Sequence, residues 1–569
     1  MKNSRYADLP VALLHALEDK PDQHWLELRA SLHRRNREAF GALSRKEINS
    51  SLAALHRARK IEYRAVMSYG RKRWYPSSLT AQGAQNRRQS LEAKEQKDKH
   101  DWPLSRSTGR IRPRPVLDPS VVAPTELHRW QQRAFAQWQR MNRRGVIEAA
   151  TGAGKTRLAS LAIAEELRAK GAVLVVVPTR LLADQWRKRI EDDLELAAES
   201  ERLVECKASK RSLVLAAGQV CVAVVNSARD VHFRLPANGG LLVADEVHWC
   251  AARAHSRALQ QGFGRRLGLT ATLEREDGLH VKVLRPFFES LCYRFTLLDA
   301  IKARVVVRPK IATIGVEWAS KSEEQRYKIA VKSYLRAKAR LIGEYGAPHD
   351  SFSALAERAG IWTKDRSNPD RQRVADEFGK AFRRARLILS STRSKLHAIT
   401  VIARNTKPES RVLIFSETGK AAKGAADAYS SGARIPVRRV HRIDGKTPQG
   451  QRKEAIKLFE DEEDSVLVGP KVLDEGLDVR AAGLGIIVAS ARSRRQLLQR
   501  IGRVVRLAEG KRSARIVILY VVGTGEDPFA RDRHVVGELL SEIRSEAGPP
   551  TRLRITDEDR LRRFLGTRA

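Results

Sequence analysis

Short apolar runs fill two blocks of the chain, separated by stretches in which apolar residues recur every three or four positions. Continuous runs of this kind are typical of strands that a parallel sheet buries on both faces, and the stretches between them predict helices. The pattern therefore predicts an α/β fold with two parallel-sheet domains. The runs are Gly145–Ala149, Ala172–Val177, Val220–Val225, Leu241–Ala244 and Arg266–Leu269 in the first block, and Arg411–Phe415, Ser465–Val468, Leu484–Val488 and Ala514–Tyr520 in the second.

The segment between the two blocks has no strand-like run. It carries charged amphipathic patterns, at Ala337–Tyr345 and Arg371–Ile388, which predict a helical insertion between the two α/β domains. The C-terminal end of the chain predicts a helical tail. The expected bounds are 126–317 for the first α/β domain, 318–395 for the insertion, 396–528 for the second α/β domain and 529–569 for the tail.

Residues 1–80 predict a winged-helix domain of mixed α and β structure. Helical patterns come first, and the last of them starts at a capping box formed by Ser44 and Glu47. Two β-like runs, Lys60–Arg64 and Arg73–Tyr75, then bracket a basic turn. Residues 81–125 follow, where charged residues give way to prolines, and predict a linker.

A winged helix offers one helix to a nucleic acid groove and its basic turn to phosphates. Docking of another protein is the alternative role for such a module. The residues that we expect to contact nucleic acid here are Arg45, Lys46 and Asn49 in the helix, Arg71 and Lys72 in the turn, and Arg73 at the start of the second β-like run.

The net charge of the chain gives further evidence about its binding partner. The 569 residues carry a net charge of +41, which favours a polyanionic partner, because each contact of Lys or Arg with a phosphate releases counterions. Nucleic acid is the expected partner, and arginine-rich codon usage is the alternative source of the charge. We expect a cytoplasmic, nucleoid-associated protein without membrane contact, because no apolar run spans a bilayer and no signal-peptide pattern is present.

A phosphate-binding loop follows the first strand. The order of strand, glycine loop and helix is the context that such a loop requires. Its glycines let backbone N–H groups point at phosphate oxygens, and the positive end of the next helix favours the same anion. Lys155 is expected to contact the β- and γ-phosphates, and the Thr156 hydroxyl to ligate Mg²⁺. The loop residues expected to bind nucleotide are Thr151, Gly152, Ala153, Gly154, Lys155 and Thr156.

Three further groups of residues suit the same chemistry. Upstream of the loop, the side-chain amide of Gln131 matches the adenine edge, which favours ATP over GTP. Asp245 and Glu246 end a buried strand that faces the loop; Asp245 is expected to share Mg²⁺ with Thr156, and Glu246 to deprotonate the attacking water. We expect coupling of the nucleotide state to other regions from His248, Thr270 and Thr272.

Arg503 and Arg506 are three positions apart and so share one helical face. Delivered across a cleft between the domains, they would neutralise charge on the γ-phosphoryl group as arginine fingers do. Contact of this helix with a nucleic acid backbone is the alternative.

Taken together, these motifs resemble those of the superfamily 2 helicases, and within them the XPB branch with its phage UvsW-like relatives. The phosphate loop is similar to motif I, with Ala149 where the common pattern has glycine. The other similarities are Asp245–His248 to motif II, Arg275–Asp277 to the R-E-D element, Ser493–Arg506 to motif VI, Pro178–Arg180 to motif Ia and Glu475–Asp478 to motif V.

The resemblance implies two tandem RecA-like domains, with ATP and Mg²⁺ in the cleft between them and a nucleic acid strand across both. It also implies a DNA substrate, 3′→5′ polarity and a gripping element that the helical insertion would supply. The resemblance assigns a nucleotide contact to Asp478, coupling to Gln499, and nucleic acid contacts to Thr179, Arg180 and Arg275.

The sequence thus predicts an ATP-dependent DNA helicase or translocase of bacterial or phage origin that serves repair, recombination or phage defence. It leaves open an RNA helicase, or the motor of a restriction or defence complex whose nuclease is a partner protein. A DNA-binding regulator with a vestigial motor is a third alternative. The intact set of Lys155, Thr156, Asp245, Glu246, Arg503 and Arg506 argues against this last one.

Overall fold

The computed structural model describes most of the chain after residue 120 and two strands before it. The chain divides into two compact units, residues 1–103 and 104–569. None of the helices in the described ranges is long and apolar enough to cross a membrane. The described ranges are 61–68, 71–79, 104, 121–124, 126–195, 201–206, 211–275, 277–349, 352–407, 409–433, 439–470, 479, 482–488, 494–508, 511, 513–529 and 535–567.

In the first unit, the structure describes an antiparallel hairpin. Strand β1 (Ile61–Ser68) pairs with β2 (Arg71–Leu79), and Ser68 lies opposite Arg71. The turn is therefore tighter than expected: Arg71 and Lys72, which are predicted for the turn, lie in β2, together with Arg73, which is predicted for a strand. The predicted helices of this unit, with Arg45, Lys46 and Asn49, lie outside the described residues.

The first α/β domain is built on a seven-stranded parallel sheet. Each predicted apolar run of the first block forms one of its strands, and β4 and β9 are buried at every position. The strands are β3 (Arg144–Ala149), β4 (Ala172–Val177), β5 (Leu203–Glu205), β7 (Val220–Val224), β9 (Gly240–Asp245), β10 (Arg265–Thr270) and β11 (Leu291–Phe295), in the order β11-β3-β10-β9-β4-β7-β5, and a separate pair consists of β6 (Ser212–Val214) and β8 (His232–Arg234).

Helices connect these strands on both faces of the sheet. The helices are α1 (Arg129–Arg140), α2 (Lys155–Arg168), α3 (Arg180–Leu194), α4 (Val225–Ala228), α5 (Arg285–Phe288) and α6 (Leu297–Lys302), with 3₁₀-helices at Val247–Ala251 and Ser256–Ala258 and a π-helical turn at His280–Leu284.

The second α/β domain has its own seven-stranded parallel sheet. Its strands are β12 (Pro309–Val316), β13 (Val412–Phe415), β14 (Val440–Arg442), β15 (Val466–Gly469), β16 (Leu484–Ile487), β17 (Ala514–Val521) and β18 (Thr551–Leu553), in the order β14-β15-β13-β16-β17-β12-β18. The helices of this half are α7 (Lys321–Gly343), α8 (Phe352–Trp362), α9 (Pro369–Ser391), α10 (Arg393–Arg404), α11 (Gly419–Ala433), α12 (Gln449–Asp461), α13 (Arg494–Val504), α14 (Val535–Glu542), α15 (Arg544–Ala547) and α16 (Glu558–Leu565).

Strand β12 lies in the second sheet, although its residues fall within the expected bounds of the first domain. It pairs with β17 along its whole length and with β18 from the C-terminal tail. The chain enters the second domain early because the backbone N–H of Val307 donates to the carbonyl of Val505, 2.8 Å away. The helical insertion therefore lies within the second domain, between β12 and β13, and not between the two domains.

The insertion packs as a small helical layer with a core of its own. Helices α7, α8 and α9 enclose an apolar cluster that includes Leu341, Leu355 and Phe378. Arg386, near the end of α9, donates through Nε and Nη2 to the buried Glu417 carboxylate just after β13, at 3.0 and 2.7 Å. This two-point contact fixes the insertion to the second sheet.

A buried ion pair joins the chain just after the insertion to the far side of the second sheet. Lys395, at the start of α10, is completely buried, and its Nζ donates to Glu526 Oε2 at 2.5 Å and to the Val488 carbonyl at 2.7 Å. Burial lowers the pKa of Lys395, and the neighbouring Glu526 carboxylate opposes this effect.

The change Lys395→Met should destabilise the second domain by about 3–5 kcal/mol, because it leaves Glu526 as an uncompensated buried charge. Urea unfolding followed by tryptophan fluorescence measures this loss. Lys380→Met, at an exposed ion pair with Asp376, is the control and should change stability by no more than about 0.5 kcal/mol. An equal loss of unfolding free energy in both variants would show that the buried ion pair contributes no more to stability than the exposed one.

Candidate active site

The phosphate-binding loop lies between β3 and α2 at the carboxyl edge of the first sheet. Gly152 and Gly154 have φ angles of +85° and +92°, which other residues adopt at a cost. Lys155 begins α2, and its Nζ donates to the carbonyl of Ala149 at 2.8 Å. The buried Thr151 hydroxyl has no hydrogen-bond partner among the described residues. The loop thus has the open, glycine-shaped cradle that the sequence predicts.

Gln131 ties this loop to helix α1. Its Nε2 donates to the Gly154 carbonyl at 2.8 Å, and its Oε1 accepts from the His128 N–H at 2.7 Å. A Cβ atom added at Gly154 would lie 2.8 Å from this same Nε2, so a larger residue there would displace the Gln131 amide. The remaining N–H and lone pair of the amide face the same cavity as the loop.

Asp245 and Glu246 follow β9 and face the loop. Asp245 Oδ2 accepts from the indole Nε1 of Trp186 at 2.8 Å, and Oδ1 accepts from the Glu246 N–H at 2.9 Å. Burial raises the pKa of both carboxyl groups, and Lys155 opposes this shift in each. Glu246 has a left-handed φ of +46°, an uncommon conformation for this residue that is often found at functional sites.

The second domain completes the site through helix α13, which lies directly on the phosphate loop. A Cβ atom added at Gly502 would lie only 2.4 Å from the Cβ of Thr151. One added at Gly152 would lie 2.9 Å from Cγ of Arg506. Only glycine on both sides permits so close an approach. As a result Arg503, which is buried, and Arg506 reach the same cavity as Lys155.

The resulting cavity has a volume of about 610 Å³, within the usual range of about 300–1,000 Å³ for ligand pockets. Both domains line it. Burial lowers the pKa of Lys155; Glu246 and Asp245 raise it, and Arg506 and Arg503 lower it further. Arg157, Arg189 and Glu126 also line the cavity, and the resulting excess of cationic side chains suits a polyanion such as a triphosphate.

The predicted coupling residues are brought together beside the carboxylates. His248 is buried, and its Nδ1 lies 3.2 Å from Thr270 Oγ1, whose hydroxyl donates to the Thr272 carbonyl at 2.9 Å. Arg275 is expected to contact nucleic acid, but here it donates within the protein, to Asp277 through two nitrogens and to the His248 carbonyl at 2.8 Å.

The other predicted residues are placed as follows. Gln499 is buried within α13, and the Thr179 hydroxyl caps helix α3 by accepting from the Leu182 N–H at 3.3 Å. Arg180 is exposed at the start of α3. Asp478 lies outside the described residues, so its predicted nucleotide contact stays a prediction.

Sequence reasoning missed Trp186, Gly502 and Arg495. A tryptophan at apolar helical spacing indicates a core residue, and nothing in the sequence ties its indole to Asp245. Arg495 extends from α13 to the first domain, and its Nε donates to Thr272 Oγ1 at 3.0 Å. Its signals in the sequence are its place in the segment that resembles motif VI and its position one helical turn before Gln499.

A second contact between the two domains lies on helix α3. The carboxylate of Asp184 accepts from Gln449 Nε2 at 2.9 Å and pairs with Lys453 Nζ at 2.7 Å, both from helix α12. The two domains therefore also contact each other through helices α3 and α12.

Comparison with known proteins identifies both domains. A family described as "Type III restriction enzyme, res subunit" matches residues 124–275, and the "Helicase conserved C-terminal domain" matches residues 391–508. "DNA 3'-5' translocase XPB2" of Sulfurisphaera tokodaii is 28% identical over 426 residues, which cover 73% of this chain and 86% of that protein. "DNA 3'-5' helicase XPB" of Kineococcus radiotolerans is 26% identical over 68% of this chain and 59% of its own length.

Among solved structures, S. cerevisiae Dbp5 bound to RNA and ADP BeF3 is similar at 14% identity and a TM-score of 0.47, over 77% of this chain and 92% of that one.

The change Gly502→Ala should lower ATP turnover about tenfold or more, because the added methyl group meets Thr151 and opposes closure of the cleft. The melting temperature should not fall, since alanine favours the helix itself. Gly343→Ala, at an exposed helical position with open space around it, is the matched control and should leave turnover unchanged. Full turnover in Gly502→Ala would mean that this contact is not needed.

Proposed function

Because the chain is a superfamily 2 helicase of the XPB-like branch, we propose that it couples ATP hydrolysis in the cleft between its two domains to movement along DNA, or to its unwinding, in the 3′→5′ direction. The observation that carries this proposal is the cavity lined by the phosphate loop from one domain and by Arg503 and Arg506 from the other. Neither domain alone contains the whole set of charges.

The residues of the cavity fit a nucleotide with Mg²⁺. The Thr151 hydroxyl, buried and without a partner among the described residues, points to a polar ligand for the loop. Thr156 and Asp245 both line the cavity and would hold Mg²⁺, which usually binds one or two protein oxygens together with phosphates. When bound, the ion offsets negative charge on the phosphate oxygens.

Glu246 is the residue best placed to receive a proton from the attacking water. Its Oε2 is buried and accepts no hydrogen bond from the described residues, although His248 Nδ1 lies 3.4 Å away. Burial raises the pKa of Glu246, which makes it a stronger base than an exposed glutamate. Lys155, Arg503 and Arg506 would neutralise the charge that develops on the transferred phosphoryl group.

DNA as the substrate is supported by the net charge of +41 and by the names of the relatives. Exposed Arg180, at the carboxyl edge of the first sheet, would contact its backbone. A cytoplasmic location and a partner such as a nuclease or a repair protein belong to this proposal. A motor subunit of a restriction or defence complex remains the alternative, favoured by the first family match.

DNA should stimulate ATP hydrolysis, and the stimulation should weaken as salt rises, because phosphate contacts release counterions. The measurement is the steady-state rate without nucleic acid and with single-stranded DNA, duplex, forked DNA or RNA, at two salt concentrations. Lys155→Ala and Glu246→Gln should abolish hydrolysis, while Glu246→Gln still binds ATP. Stimulation by RNA alone would exclude a DNA motor, and no hydrolysis under any condition would favour the DNA-binding regulator.

Arg503→Ala should lower kcat about a thousandfold while nucleotide affinity is retained, because an arginine finger acts on charge that develops in the transition state. Single-turnover hydrolysis and equilibrium binding of a fluorescent ATP analogue measure the two effects. If the rate is unchanged, Arg503 is not the finger, and Arg506 would be tested next in the same way.

A further inference from the structure

Helix α13 begins with two consecutive arginines that contact different domains. Arg494 pairs with Glu542 of helix α14, within the second domain. Arg495 crosses to the first domain, where Nε donates to Thr272 Oγ1 at 3.0 Å and Nη2 donates to the Glu274 carbonyl at 2.7 Å. Two donors on one guanidinium therefore hold the segment that follows β10.

Thr272 is the first member of a chain of contacts that ends at Glu246. The Thr272 carbonyl accepts from the Thr270 hydroxyl at 2.9 Å, and Thr270 Oγ1 lies 3.2 Å from His248 Nδ1. The Thr270 hydroxyl donates to the Thr272 carbonyl and its oxygen accepts from the Thr272 N–H at 3.2 Å, so the tautomer of His248 with its proton on Nδ1 fits this contact best. The same Nδ1 lies 3.4 Å from Glu246 Oε2.

The histidine in this chain is electrically neutral. Burial lowers the pKa of His248 well below its ordinary value, and Arg495 lowers it further, followed by Arg275 and Lys155. A neutral ring in contact with Glu246 Oε2 restricts the position of that carboxylate without adding a full positive charge beside the base.

A second route joins Arg495 to the same histidine. The Glu274 carbonyl, held by Arg495, immediately precedes Arg275, and Arg275 donates to the His248 carbonyl at 2.8 Å. Asp277 fixes the Arg275 guanidinium through two hydrogen bonds. Both the ring and the backbone of His248 are thus connected to a single arginine of the second domain.

We propose that Arg495 is a positioning residue that orients Glu246 for catalysis when the cleft closes, acting through Thr272, Thr270 and His248. The inference rests on the proposed function of the site. Arg495 differs from the two arginine fingers because the donors described above contact Thr272 and Glu274 rather than the phosphate loop. When the domains separate, Thr272 loses its donor, and the chain of contacts to Glu246 is no longer fixed from the second domain.

The test compares Arg495→Gln with Arg494→Gln in the full chain at saturating DNA. Loss of hydrogen bonds from a charged donor should lower kcat of Arg495→Gln about 10- to 100-fold, with KM for ATP and ATP affinity unchanged. Arg494→Gln should keep the kcat of the unmodified protein. A normal kcat in Arg495→Gln, or an equal loss in both variants, would overturn the proposal.

A double-mutant cycle separates positioning from general structural damage. Thr272→Val removes the acceptor hydroxyl and keeps the shape of the side chain, so its effect and that of Arg495→Gln should not add. Arg495→Lys, which retains one donor, should recover part of the rate. Additive losses, or no recovery with lysine, would contradict the proposal.

The unmodified protein is measured in the same series. If it shows no DNA-stimulated hydrolysis, the proposed function fails. If it does, and Arg495→Gln hydrolyses ATP equally well, only the role of Arg495 fails.

Discussion

The close approach of helix α13 to the phosphate loop is the contact on which the site depends. Gly502 of the second domain and Thr151 of the first meet with no room for a side chain between them. This contact brings Arg503 and Arg506 into the cavity that Lys155, Asp245 and Glu246 line. The cationic side chains of Lys155, Arg503 and Arg506 repel one another, so a polyanionic ligand between them stabilises the closed arrangement of the two domains.

The insertion moves with the second domain because the chain enters it from that domain and returns to the same domain after it. Strand β12 enters the second sheet before the insertion, α10 packs into the same domain after it, and Arg386 holds it to Glu417. A change in the angle between the two domains therefore displaces the insertion as a rigid extension. Opening and closing at the nucleotide cavity would therefore move this helical layer relative to the first domain.

Closure of the cleft between the domains also affects the segment beside the Asp245 and Glu246 carboxylates. The segment from Thr270 to Asp277 leaves the first sheet beside Glu246, and Arg495 holds it from the other domain. The side chains that lie between Arg495 and Glu246 are buried and hydrogen-bonded. A small displacement of Arg495 therefore displaces them as well. Hydrolysis and domain position are then coupled through one short chain of side chains.

The sequence by itself determined the local chemistry. A loop that curls around phosphate needs glycine at positive φ, and buried parallel strands need apolar runs, so Gly152, Gly154, Lys155, Asp245 and Glu246 could be assigned from spacing alone. The two domains were predictable for the same reason, because these features depend on neighbours within a few positions along the chain. The spacing of Arg503 and Arg506 likewise places them on one helical face, whereas their position opposite the loop required a second domain across a cleft.

Only the tertiary structure decided which distant residues meet. The sheet that β12 joins and the partner of Trp186 depend on how each domain packs, and the reach of Arg495 depends on how the two domains dock. No periodicity in the sequence records either. Arg494 and Arg495 show why. They are identical residues at consecutive positions, but each step along a helix turns the side chain by about 100°, so one pairs within its own domain and the other crosses the cleft.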